Sequence, residues 1–227
     1  MLRVLLPVRC SGCGVPGSSP CRRCCAGLVP APVGPPPPGV DACRSLLAYE
    51  GLGRAFVTDL KYRRNRSALA WLADGMAALL RPPPGTVVTW APATPQRRRR
   101  RGFDQAEVLA RAVAQRWSAP CRPLLRRRAG PPQTGRSLAD RWHGPVLLPR
   151  PGRRPEAAGR PVVVVDDVLT TGATLAAAAR ALAALDVAAV VGLTAARTPG
   201  RGAALPSVLA QPPAVEHFAQ VPAPSGR

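Results

Sequence analysis

Two stretches of the chain place apolar residues at helical spacing. In residues 49–80 they lie three or four positions apart, and the prolines at 82–84 end the pattern. A second, cleaner stripe predicts a helix over 105–117. Asp104 precedes this helix and Glu107 follows three residues later, an arrangement typical of a capping box at a helix start.

Strand patterns alternate with these helices. Residues 86–90 are a short β-rich run, and residues 162–165 are consecutive valines, a pattern typical of a strand buried on both faces. An Ala/Leu-rich helix at 173–185 and another strand at 187–194 follow. Strand, helix and strand in succession make a βαβ unit, so the sequence predicts an α/β fold with a parallel-rich sheet flanked by helices.

Composition divides the chain into four segments. Residues 1–30 are rich in cysteine, and residues 31–44 are rich in Pro and Gly, which predicts a stiff linker. The α/β pattern occupies 45–197. Residues 198–227 have weak periodicity and are predicted to form a loose tail.

The charge of the chain is strongly positive. Its 227 residues include 32 Lys+Arg and 12 Asp+Glu, a formal net charge of +20, and Lys61 is the single lysine. Codon usage in a GC-rich genome would explain the arginines in general. Residues 97–154, however, hold 16 arginines against 3 acidic residues. This local excess favours an anion-binding face.

Membrane and export signals are not evident in the sequence. No stretch of 18 uncharged apolar residues predicts a membrane span, and the apolar run near the N-terminus is too short for a signal peptide. We therefore expect a cytoplasmic protein. In that compartment cysteines are more often metal ligands or free thiols than disulfides.

Two Cys-x-x-Cys pairs, separated by seven residues, lie near the N-terminus: Cys10 with Cys13, and Cys21 with Cys24. Each pair is a two-pronged chelate, and together they predict a structural Zn²⁺ site with four thiolate ligands. Free thiols or a redox pair are the alternatives, and Cys25 could replace Cys24.

Carboxylates and a Thr/Gly loop follow the valine strand. Ligands of open α/β sheets bind at the carboxyl ends of strands, and free amides at a helix N-terminus favour phosphate. Asp166 and Asp167 can accept hydrogen bonds from ribose hydroxyls and help hold hydrated Mg²⁺. The segment therefore predicts a ribose 5-phosphate site with these aspartates as its catalytic residues; a strand ending in an Asp turn with a Thr helix cap is the alternative. The predicted phosphate-binding residues are Thr170, Thr171, Gly172, Ala173 and Thr174.

The string 162–174 resembles the phosphoribosyl pyrophosphate (PRPP) signature of type I phosphoribosyltransferases. Further blocks resemble the ComF family of phosphoribosyltransferase-like proteins, some of which are linked to DNA uptake in competent bacteria. The resemblance covers about residues 8–197. Its blocks are the two Cys-x-x-Cys pairs and residues 49–51, 60–63, 101–107 and 133–135. Asp104 and His143 depart from it, because the family usually has Asn at the first position and tends to have Asn at the second.

This resemblance implies PRPP binding with Mg²⁺ and phosphoribosyl transfer to an unidentified acceptor, which would make the protein a pentosyltransferase, a kind of glycosyltransferase. It also implies that residues 126–137 form a mobile lid over the donor. A pyrophosphate loop would comprise Ala91, Pro92 and Ala93, with Arg101 beside it; an ordinary strand-ending turn is the alternative.

Two further hypotheses retain ligand binding at this site but assign the protein no catalytic activity. In one, the protein is a non-catalytic competence module whose basic face binds single-stranded DNA or a DNA-uptake helicase. In the other, it senses PRPP or a nucleotide. The arginine run 97–101 either contacts phosphate or is simply solvated.

Overall fold

The computed structural model describes residues 9–63, 66–128 and 145–200. Four parts of the sequence analysis fall outside the described residues: the block at 133–135, the departure at His143, most of the predicted lid, and the tail from 201 onward. In the described part, the strands are β1 (Ala42–Ala48), β2 (Val87–Trp90), β3 (Leu125–Arg127), β4 (Leu147–Pro149), β5 (Pro161–Leu169) and β6 (Ala189–Arg197). The helices are α1 (Arg22–Ala26), α2 (Gly51–Arg63), α3 (Arg66–Ala78), α4 (Pro95–Arg101), α5 (Gln105–Arg116), α6 (Arg154–Ala157) and α7 (Ala173–Ala183).

Four strands form the central sheet in the order β1-β6-β5-β2, and every pairing in it is parallel. Strands β3 and β4 form a separate antiparallel ribbon. The parallel-rich sheet predicted from the βαβ pattern is confirmed. Because all four strands run in one direction, their carboxyl ends meet at a single edge of the sheet.

The consecutive valines of β5 divide the core into two layers. Successive side chains of a strand point to opposite faces. Val163 and Val165 accordingly lie in one apolar cluster with residues of α2, α3 and α5. Val162 and Val164 lie in a second cluster with residues of α7. All four valines are at most 1% exposed, so the predicted burial on both faces is confirmed.

Strand β5 is longer than the valine run predicts. It continues to Leu169, because its pairing with β6 extends to the Leu169–Arg197 register. Asp166 and Asp167 therefore lie within the last half of the strand rather than after it.

Strand β1 was not predicted, and residues 42–44 fall within the range that composition assigned to a linker. Its sequence, Ala-Cys-Arg-Ser-Leu-Leu-Ala, contains no β-branched residue, so strand propensity gave no signal. The chain just before it also contacts the sheet: Ala48 N–H donates to Val29 at 2.9 Å, and Ala31 N–H donates to Leu46 at 3.1 Å.

Asp104 fixes the start of α5, as the capping pattern predicts. Its Oδ1 accepts from the amide of Ala106 at 3.2 Å, and its Oδ2 accepts from the amide of Ala93 at 2.8 Å. Burial raises the pKa of this carboxyl, and the amide donors oppose the rise. Glu107 bonds Arg111 instead of closing a reciprocal box. One carboxylate thus joins α5 to the loop that follows β2.

We expect Asp104→Ala to lower the free energy of unfolding at pH 7 by about 1–2 kcal/mol, because it removes a helix cap and leaves the partly buried Ala93 amide without its acceptor. Urea denaturation measures the change. Glu107→Gln is the matched control, since it removes only a partly exposed ion pair with Arg111 and should cost no more than about 0.5 kcal/mol. Equal losses in the two variants would contradict the capping role.

No helix in the described ranges is both long and apolar enough to cross a membrane.

Candidate functional site

The carboxyl end of β5 and the start of α7 enclose a small pocket. It brings Asp166 together with most of the predicted phosphate-binding loop. Asp167 and Thr171 each adjoin a lining residue in the sequence but are not themselves part of the pocket lining. The lining residues are Asp166, Val168, Leu169, Thr170, Gly172, Ala173, Thr174 and Leu175.

Gly172 is the residue on which the loop geometry depends. It adopts a left-handed φ of +79° and is the N-cap of α7. Such a φ strains residues with a side chain, and a glycine cap has no side chain to occupy the first amides of the helix. Ala173, Thr174 and Leu175, the first residues of α7, line the pocket, and the amide of Ala173 donates to Oγ1 of Thr171 at 3.4 Å. Amides at such a helix start stabilise an anion.

The two aspartates are joined by a hydrogen bond. Asp166 lies opposite Thr194 of β6, and its Oδ1 accepts from the backbone amide of Asp167 at 2.8 Å. Both aspartates are partly exposed. Their strand thus carries two carboxylates to the edge of the sheet beside the loop.

The loop after β2 lies next to this edge and is held at three points. The amide of Ala91 donates to the carbonyl of Val165 on β5 at 3.0 Å. The carbonyl of Pro92 accepts from Nη1 of Arg127 at 3.1 Å, and the amide of Ala93 donates to Asp104. Residues 91–93, the predicted pyrophosphate loop, therefore have a defined conformation beside Asp166.

Arg127 is a residue of this edge that sequence analysis missed. Burial lowers its pKa and Arg97 lowers it further, whereas Asp166 and Asp104 oppose the change. The guanidinium therefore interacts electrostatically with Asp166, with the cap residue Asp104 and with Arg97 of α4. Arg127 is half-buried while its neighbours Arg126 and Arg128 are exposed. Strand alternation was the available signal, but a run of three arginines conceals which one points inward.

Arg101, the other predicted pyrophosphate residue, closes the junction between α4 and α5. Its Nη1 donates to Oε1 of Gln105 at 2.6 Å, and Gln105 is only 4% exposed. Arg101 is half-buried at the end of α4, three residues before Asp104, which accepts from the amide of Ala93.

Helix α4 presents the rest of the arginine run to solvent. Thr94 caps its first turn by accepting from the amide of Arg97 at 3.2 Å, and Gly102 ends it with a φ of +77°. The residues from 97 to 100 are all exposed. Basic residues in the last turn suit the negative end of the helix dipole, which offsets part of their mutual repulsion.

The four predicted zinc ligands lie together. The Sγ atoms of Cys10, Cys13, Cys21 and Cys24 are all within 4.8 Å of one another. Cys13 and Cys21 are 3.7 Å apart, which fits the separation of about 3.8 Å between sulfurs bound at 2.3 Å around a tetrahedral Zn²⁺. Cys25 is not part of this group. The donor set therefore fits zinc.

Electrostatics also favour a cation among these thiols. Burial would raise the pKa of Cys10, but the amides of Cys21, Cys13 and Gly12 lower it to about 6. Burial and the neighbouring thiols raise the pKa of Cys24 to about 12. Crowded thiols cannot all ionise at neutral pH without a positive charge between them, and a divalent metal supplies that charge.

The cysteine segment packs directly on the α/β domain. Ser11, between two of the ligands, donates to the buried carboxylate of Asp59 on α2 at 2.5 Å and lies 2.9 Å from the hydroxyl of Ser19. A side chain at Gly12 would come within 2.8 Å of Leu52, also on α2. Cys10 and Cys24 share the apolar cluster that covers one face of the sheet.

No curated protein sequence matches the chain significantly. A solved structure described as that of the allosteric regulatory enzyme of purine biosynthesis is similar, with 19% sequence identity and a TM-score of 0.37. The similarity covers 56% of this chain and 26% of that one, so this chain spans about a quarter of that protein's length.

The family model described as the phosphoribosyl transferase domain matches residues 104–206. This range includes α5, β5, the Thr/Gly loop, α7 and β6. Residues 104–206 therefore match a phosphoribosyl transferase domain, and the chain has the parallel-rich, helix-flanked fold of the type I phosphoribosyltransferases.

Proposed function

We propose that this protein binds PRPP or ribose 5-phosphate with Mg²⁺ at the carboxyl edge of the sheet, and that it transfers the phosphoribosyl group to an acceptor. The observation that carries the proposal is the pocket in which Asp166 and the Thr/Gly loop meet. It joins acceptors for sugar hydroxyls to donors for a phosphate, at the end of the sheet where α/β proteins bind ligands.

In this proposal the 5-phosphate takes the amides at the start of α7 and the hydroxyls of Thr170, Thr171 and Thr174. The ribose hydroxyls donate to Asp166 and Asp167. These carboxylates also suit Mg²⁺, a hard cation that prefers oxygen ligands and retains water. The metal would supply charge neutralisation for the phosphates when bound.

The reaction requires positioning more than proton transfer. The bond between ribose C1 and the pyrophosphate oxygen breaks, and pyrophosphate leaves with the electron pair. A lone pair of the acceptor then forms the new bond to C1, and the acceptor proton passes to solvent. We assign two arginines to stabilising the departing pyrophosphate through charge-assisted hydrogen bonds. They are Arg127, which bonds the carbonyl of Pro92, and Arg101, at the end of α4.

The sequence resemblance to the ComF family supports the proposed site. Two blocks of that resemblance, residues 49–51 and 101–107, lie at or near the same edge of the sheet. Tyr49 follows β1, and its amide donates to the carbonyl of Arg197 at the end of β6 at 2.7 Å. We place the protein in the cytoplasm, where PRPP and free Mg²⁺ are available.

The zinc site in this proposal is structural. Four thiolates fill a tetrahedral shell and leave no open position for substrate. Because Cys10 and Cys24 lie in the main apolar cluster, we infer that the metal also stabilises the domain beneath it.

A second candidate function is binding to the phosphates of a nucleic acid, as part of a DNA-uptake system with single-stranded DNA or a helicase as partner. Exposed arginines along α4, on a helix without an acidic residue, favour it. The arginines of α4 adjoin the proposed pyrophosphate loop, so a bound strand would lie beside the PRPP site.

We expect Asp166→Asn to weaken binding of PRPP with Mg²⁺ roughly 10- to 150-fold, because the amide offers one acceptor oxygen instead of two and removes a negative charge from the pocket. Isothermal titration calorimetry measures the affinity, and the release of pyrophosphate with candidate bases measures transfer. Asp74→Asn, an exposed aspartate on α3, is the control and should bind normally. The proposal would be refuted if millimolar PRPP with Mg²⁺ gave no heat of binding with the wild-type protein and did not raise its melting temperature.

Replacing one thiolate should remove the zinc. For Cys13→Ser, elemental analysis should show a fall from about one zinc per chain to a small fraction of that, together with a lower melting temperature. Cys25→Ser is the matched control, since Cys25 adjoins the cluster without belonging to it. Equal zinc content in the Cys13 variant and the wild type would show that the cluster is not a metal site.

If α4 binds nucleic acid, replacing Arg97, Arg98 and Arg99 together by Ala should flatten the dependence of binding on salt. Each lost phosphate contact reduces the slope of log K against log salt by about 0.7 for single strands. Alanine keeps the helix, so the fold should persist. The exposed Arg180 on α7 provides the control substitution. An unchanged slope would mean that the run is merely solvated.

A further inference from the structure

We propose that residues 34–38, which we name the proline strap, hold the phosphate loop in its binding conformation, and that Pro37 is the positioning residue through which the strap acts. The inference rests on the proposed function of that loop. It assigns a role to a segment whose composition predicts only a linker.

Pro37 contacts the phosphate loop directly at Gly172. A side-chain carbon added to Gly172 would lie 2.8 Å from Cγ and 2.9 Å from Cβ of Pro37. The proline ring therefore lies against the bare backbone of the loop. Pro37 is buried, whereas Pro36 and Pro38 on either side of it are exposed.

The strap is attached to the sheet at both ends. At one end, Arg197 of β6 donates through Nη1 to the carbonyl of Gly34 at 3.2 Å and through Nη2 to that of Pro35 at 3.4 Å. At the other end, the amide of Val40 closes a turn by donating to the carbonyl of Pro37 at 3.0 Å, and the amide of Asp41 donates to the carbonyl of Val190 on β6 at 2.9 Å. Val40 itself is buried in the cluster that contains α7.

These contacts connect the strap to both strands beneath the loop. Arg197 pairs in register with Leu169, the last residue of β5 before the loop. The amide of Thr198 donates to the carbonyl of Leu169 at 2.9 Å. The end of β6 is thereby joined to the strap on one side and to the base of the loop on the other.

Proline is suited to this role for a physical reason. Its ring fixes φ, so consecutive prolines form a stiff segment that loses little conformational entropy when it is placed. Gly172 is the opposite: it needs a left-handed φ, has no side chain, and has the largest conformational freedom of any residue. A stiff wall behind a glycine keeps the loop amides ordered before the phosphate arrives, which reduces the entropic cost of binding.

The test compares two substitutions in the same run of prolines. Pro37→Gly removes the contact with Gly172, and Pro36→Gly makes the same backbone change, also before a proline, at an exposed position. Hydrogen exchange of the amides of residues 171–174 reports loop order without any ligand. Exchange should be faster in Pro37→Gly than in Pro36→Gly. Pro37→Ala, which removes Cγ but adds less flexibility, should show the same effect more weakly.

Calorimetry with ribose 5-phosphate then measures the consequence for binding. Pro37→Gly should bind about tenfold more weakly than Pro36→Gly, the factor expected when roughly one more backbone residue must be ordered on binding. Circular dichroism should show that both variants retain the wild-type helix content.

The outcomes separate this inference from the proposed function. Equal exchange and equal affinity in the two glycine variants, with wild-type protein binding normally, would overturn the role of the strap. Absence of binding by the wild type would overturn the proposed function, while the exchange comparison would still decide whether Pro37 orders the loop.

Discussion

Parallel pairing of β5 with β2 on one side and β6 on the other is the interaction on which the rest of the structure depends. It places a valine run at the centre of the sheet, where alternate side chains supply the two apolar layers. It also directs the carboxyl ends of the strands to one edge, where the aspartates of β5, the loop after β2 and the start of α7 come together. One set of backbone hydrogen bonds thus accounts for both the stability of the core and the location of the candidate site.

The arginine excess imposes a second constraint, because there are too few carboxylates to pair with every guanidinium. Several arginines donate to backbone carbonyls instead, and these bonds join segments distant in sequence. Examples are Arg160 to Gly85, Arg150 to Leu125, Arg127 to Pro92 and Arg197 to Gly34. A guanidinium has five donors, so it can hold a loop by its backbone without neutralising its own charge. The retained charge at Arg127 would attract an anion to the proposed phosphate site. At a half-buried position without such a ligand, the same charge would destabilise the fold.

Segments that composition separates from the α/β domain are packed against it. The cysteine segment shares its apolar cluster and bonds α2 through Ser11 and Asp59. The proline strap lies behind Gly172, and β1 forms an edge of the sheet. If zinc organises the cysteine segment, loss of zinc would also destabilise the α/β domain through the contacts of Cys10 and Cys24. Close-packed interiors transmit a local rearrangement to neighbouring residues.

The sequence by itself determined the features that depend on local pattern. The burial of residues 162–165, the cap at Asp104 and the parallel sheet follow from periodicity, capping chemistry and element order, which act over a few residues or one βαβ unit. The spacing of the cysteines likewise predicted which four sulfurs would meet. Tertiary structure decided the features that depend on contacts between distant segments. Neighbouring strands make β1 a strand although its sequence has low β-propensity. The inward position of Arg127 among three arginines and the contact of Pro37 with Gly172 are likewise tertiary features. These cannot be read from local pattern, because the residues that create them are separated by tens to more than a hundred positions and meet only when the sheet has formed.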